Sequence, residues 1–82
     1  MRGTETFAEF LACIVEENDP AVLIQVDRFI DTHLNFYGDR GSGPGSVADE
    51  RKRLAAAFLE KAQDTPVRQL ILAKILKLQP TG

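Results

Sequence analysis

Tryptophan is missing from this sequence and cysteine occurs once, at Cys13. A single thiol cannot close an internal disulfide or build a zinc knuckle, so neither staple holds the fold. No apolar run approaches the roughly 18 residues a membrane-spanning helix needs. The opening MRGTETFAEF has no uninterrupted apolar stretch of the kind a secretory signal carries. We therefore expect a cytoplasmic, reduced protein without membrane association. Charge of one sign is not in excess either. Ten Lys and Arg stand against 12 Asp and Glu, for a net charge of −2 and a pI near 5.3. The overall field gives no case for nucleic acid. Nowhere does the chain alternate at period two, so strands are not expected.

What is present is 44% hydrophobic and 27% charged residues in an 82-residue chain. That composition reads as one globular domain over 1–82. At this size folding buries only about 60% of the exposed surface, and self-association is a common support.

Proline, glycine and capping residues divide the chain into four helical segments, at about 7–18, 20–37, 47–63 and 66–78. Thr6 and Glu9 have capping-box spacing, and Phe7, Phe10, Leu11, Ile14 and Val15 then recur at helical steps. Asp19-Pro20 starts the second segment with an acidic N-cap and a proline in the first turn. Its stripe is Val22, Leu23, Val26, Phe29, Ile30, Leu34 and Tyr37, and Gly38 supplies the stop. The run GDRGSGPGS over 38–46 has no apolar anchor and reads as a flexible loop. Ser46 caps the third helix, with Asp49 and Glu50 in the first turn complementing its positive end. Asp64-Thr65-Pro66 repeats the acidic-cap-plus-proline device before the last helix, which Pro80 ends. The expected fold is all-α: four short helices arranged as two antiparallel hairpins in a small bundle.

Charge and hydrophobicity are unevenly placed. Residues 1–38 hold two basic and seven acidic side chains, whereas 39–82 hold eight basic and five acidic. The halves can attract one another within a chain or across a dimer. On the last helix, Val67, Leu70, Ile71 and Leu78 cover one side while Leu72, Ile75 and Leu76 cover the next. One core needs an apolar stripe little wider than 100°. The second side is therefore expected to be a partner interface through Leu72, Ile75 and Leu76.

Candidate chemistry is sparse. His33 lies on the apolar stripe with no neighbouring nucleophile, so its ring is expected to pack and its nitrogen to meet a carbonyl. Cys13 stands among Glu9, Glu16 and Glu17, which disfavour a thiolate. Asp27 and Asp31 share a helix face but lack the Glu-x-x-His partner of a di-metal bundle. No catalytic residues, cofactor or metal are expected, and the chain does not read as an enzyme. The function expected is a helical protein–protein interaction module, a regulator, inhibitor or assembly factor with a protein partner, itself a homodimer. The alternative is a dimeric nucleic-acid-associated regulator using the basic triplet Arg51, Lys52 and Arg53 as a polyanion contact.

Overall fold

The computed structural model describes residues 2–37 and 46–77, with the side chains of Arg2 and Tyr37 excepted. Every regular element among them is helical: α1 (Arg2–Glu17), α2 (Pro20–Leu23), α3 (Val26–Tyr37), α4 (Val47–Lys61) and α5 (Pro66–Leu76). The expected loop up to Gly45, and the end of the last helix beyond Lys77, lie outside the described residues.

Three helix starts follow the capping grammar. The Asp19 carboxylate accepts from Ala21 N–H at 3.0 Å, and the Ser46 hydroxyl accepts from Asp49 N–H at 3.1 Å. At α5 the cap is Thr65, whose Oγ1 accepts from Arg68 N–H at 3.4 Å. Asp64 pairs instead with the Arg68 guanidinium at 3.0 Å.

Two boundaries differ from the expectation. α1 starts at Arg2, so Thr6 is an exposed interior residue rather than a cap, and the Thr6–Glu9 capping box is not formed. The extra turn is anchored by Thr4, whose hydroxyl donates to the Glu50 carboxylate on α4. The segment expected as one helix over 20–37 is broken at Ile24 and Gln25. There Gln25 N–H bonds Val22 O at 2.9 Å, three residues back, and Phe29 N–H bonds Gln25 O at 3.1 Å. This tighter turn bends the chain and delivers Val26 fully buried into the core. α1 and α5 both end on left-handed residues, Asn18 at φ 51° and Lys77 at φ 53°. Asparagine tolerates that conformation, whereas lysine adopts it at a steric cost.

The helices form a plate 35 × 33 × 20 Å. α1 packs chiefly on α4, and α4 also meets α3 and α5. The core runs through Leu11 and Ile14 of α1, Val26, Ile30 and Leu34 of α3, Leu54 and Phe58 of α4, and Ile71 and Ile75 of α5. Each large side chain so enclosed contributes about 1.5–3 kcal/mol by leaving water. Three residues expected on buried stripes are more open. Phe10 is 45% exposed, Leu70 is 49% exposed, and Phe29 is half-buried.

The acidic and basic halves do meet within the chain. Lys61 pairs with Glu9 at 3.7 Å, Lys74 with Asp27 at 3.0 Å, and Gln63 Nε2 donates to Glu16 at 3.0 Å. These contacts are exposed and orient the helices more than they stabilise them.

Candidate functional site: an aromatic groove over a buried His–Glu pair

α1 and α3 approach through aromatic side chains. The Phe7 ring stacks on the His33 ring with centroids 4.4 Å apart and planes 7° from parallel. Phe10 meets Phe29 edge-on at 5.6 Å, and Phe7 lies 5.9 Å from Phe10. Offset-stacked and edge-to-face rings are the arrangements the aromatic quadrupole favours. These pairs line one side of a groove of about 600 Å³, with Phe36, Thr32 and Arg28 completing its lining. Phe36 stands 78% exposed at one end. Arg28 is the only acid- or base-bearing lining residue other than His33.

Beneath the groove lies a polar cluster drawn from three helices. His33 Nε2 is 2.8 Å from Oε2 of Glu50, and the Thr4 hydroxyl donates to that same oxygen. With Glu50 as a carboxylate, which only accepts, Nε2–H is the donor of this bond. His33 and Glu50 are only 6% and 5% exposed. Two donors on one oxygen, together with the positive N-terminus of α4, compensate the buried carboxylate. The expectation named a backbone carbonyl for a histidine nitrogen; Nε2 meets a carboxylate 17 residues away. The Thr4 hydroxyl is engaged by Glu50, so it is not offered to the imidazole as a nucleophile. The arrangement locks the Phe7–His33 stack, and with it the groove floor, onto α4.

The residues singled out in the sequence are placed as follows. Ile75 is fully buried in the chain's own core, and Leu72 and Leu76 are half-buried against it. This corrects the expected α5 interface at Ile75: that side chain cannot meet a partner without unfolding. The wide apolar surface of α5 is covered by α1, α3 and α4. The basic triplet is divided. Arg51 Nη1 donates to Ile75 O at 2.8 Å, capping the end of α5, and Arg53 pairs with Asp49 at 3.0 Å, while Lys52 is exposed. Cys13 is a free, exposed thiol on α1. Among the described residues no group of three or more His, Cys, Asp or Glu side chains is placed to hold a metal. No described helix is long and apolar enough to cross a membrane.

Glu50 was readable as an inward residue. With Val47, Leu54 and Phe58 it falls at steps of three, four and four on the α4 stripe, as His33 does on that of α3. Two polar residues on two apolar stripes are the signal for a buried pair. Comparison with protein-family models, with curated proteins and with solved structures finds no match. The functional reading accordingly rests on the groove and its surroundings.

Proposed function

We propose that this protein is a small helical protein–protein interaction module, acting as a regulator, inhibitor or assembly factor by docking through the α1–α3 groove. The observation that carries the reading is the open aromatic wall: Phe10 and Phe36 present large rings to solvent although the adjoining core is closed. Aromatic side chains with an arginine beside them are the composition enriched in protein interfaces, and burying them supplies most of the affinity. The groove's volume suits a few side chains of a partner. The single unpaired thiol accords with a reducing, cytoplasmic setting. The nucleic-acid alternative is weakened because Arg51 and Arg53 are engaged within the chain.

The test places a photo-crosslinking amino acid at position 36 and, as a control, at the exposed position 56 on α4. Adducts of discrete mass from position 36 alone are the expected result in cells. Adducts from both positions alike, or from neither, would remove the groove as a docking site.

A further inference from the structure

The wall of the α1–α3 groove restricts what can lie against it. Besides the rings and the buried His33, the lining holds two polar side chains, the Arg28 guanidinium and the Thr32 hydroxyl. They stand one turn apart on α3, the spacing of one helical edge, and both are exposed. No described carboxylate lines the groove. Arg28 makes no ion pair among the described residues, whereas Arg53, Lys61, Arg68 and Lys74 are each held by an acid.

Both banks of the groove are helices, whose backbone N–H and C=O groups are spent on their own bonds. An extended segment laid across the rings would leave the backbone groups on that side without partners. A helix satisfies its backbone internally and can turn an apolar face to the rings. From Arg28 to Phe36 the wall runs along α3 for about 12 Å, room for two turns of such a helix. The trough is open, with Phe10 and Phe36 exposed, whereas sites for small molecules enclose about 70–90% of the ligand. A cation with a hydroxyl one turn away and no acid in the lining calls for an acidic side chain on the occupant. A second copy of this chain does not offer that face: α4 and α5 each expose a single large apolar side chain, Leu59 and Leu70. We infer that the groove takes an amphipathic helix of a different protein, with apolar side chains seated between the rings and an acidic side chain beside them paired with Arg28. This rests on the interaction-module reading and states what its partner presents.

The experiment is selection from a displayed library of alanine-framed helical peptides about 16 residues long, randomised along one face. The targets are the unaltered full chain, Arg28→Glu and Phe10→Ser. Both substitutions are at exposed positions, and circular dichroism checks that each variant keeps its helices. Peptides selected on the unaltered chain should share two apolar residues three or four apart, with an Asp or Glu within one turn of them. Arg28→Glu sets like charges together and should raise their dissociation constants about tenfold or more. Selection on Arg28→Glu should put Lys or Arg in the acid's place. A proline at the centre of a selected peptide should abolish binding, because it breaks the helix. No acid preference, an acid preference that survives Arg28→Glu, tolerance of the proline, peptides indifferent to Phe10→Ser, or no selected peptide at all would each overturn the inference. Failure here remains separate from failure of the wider reading. Peptides that lack the acid but lose binding on Phe10→Ser still dock in the groove, and if the library yields nothing the adducts from position 36 decide the wider reading.

Discussion

α5 and the α1–α3 pair distribute their apolar side chains in opposite ways. α5 is apolar on nearly every side, yet most of that surface is enclosed: Ile71 and Ile75 are fully buried, with Val67, Leu72 and Leu76 packed beside them. α1 and α3 have cleaner amphipathic patterns, yet Phe10 and Phe36 are open to water. Aliphatic branched residues on α5 interdigitate with three neighbouring helices, whereas flat rings on α1 and α3 meet edge to edge and leave a trough between the backbones. How wide an apolar stripe is, then, says less about the free surface than the shape of the side chains and the number of helices around it. In a plate only 20 Å thick, the last helix meets three others and still leaves Leu70 49% exposed, while Phe10 and Phe36 face outward from α1 and α3.

The contrast can be broken at its closed end first. Phe58 is fully buried on α4, and Phe58→Ala should cost about 3–5 kcal/mol, enough to unfold most of the protein at room temperature. A urea titration followed by circular dichroism measures it, and a loss below about 1 kcal/mol would mean the core is not packed as described.

The next effect lies at the boundary between the two regions. Glu50→Ala strands the His33 and Thr4 donors and should cost about 3 kcal/mol. Replacing both partners, Glu50→Leu with His33→Phe, should recover most of that loss, because no buried polar partner is left over except the Thr4 hydroxyl. Equal destabilisation by the single and double changes would show that the pair is not coupled.

The smallest effect on stability belongs to the open side. Phe10→Ser should shift the unfolding free energy by no more than about 1 kcal/mol, since nearly half of the side chain is already wet. It should nonetheless abolish adducts from position 36. A large loss of stability would assign Phe10 to the core and erase the contrast.

The helical skeleton was legible where single residues set it. Asp19 with Pro20, Ser46, and Thr65 before Pro66 mark three starts, and Asn18 marks a stop, because each acts through its own backbone neighbours. What depended on distant contacts was not legible. The first turn of α1 is held by Thr4 reaching α4, and no local signal announces it. The break at Ile24 and Gln25 reflects a change from four-residue to three-residue bonding that periodicity alone does not register. The site was half visible: Phe7, Phe10 and Phe29 were read as apolar stripe positions and Phe36 was not, and which of them would find cover depended on how far apart α1 and α3 sit. On α5 the core takes up Ile75, while Leu72 and Leu76, offered by the sequence to a partner beside it, stay half-buried.

The Phe7–His33 stack has a spectroscopic consequence. The imidazole lies face-on to a benzene ring at 4.4 Å, within the shielding cone of its circulating electrons. Its ring protons should therefore resonate well upfield of those in a free histidine, and the chain contains just one histidine to assign. Anything that enters the trough and tilts Phe7 by a few degrees alters that shielding. The protein thus carries an intrinsic, label-free gauge of occupancy, read from two proton signals in a one-dimensional spectrum.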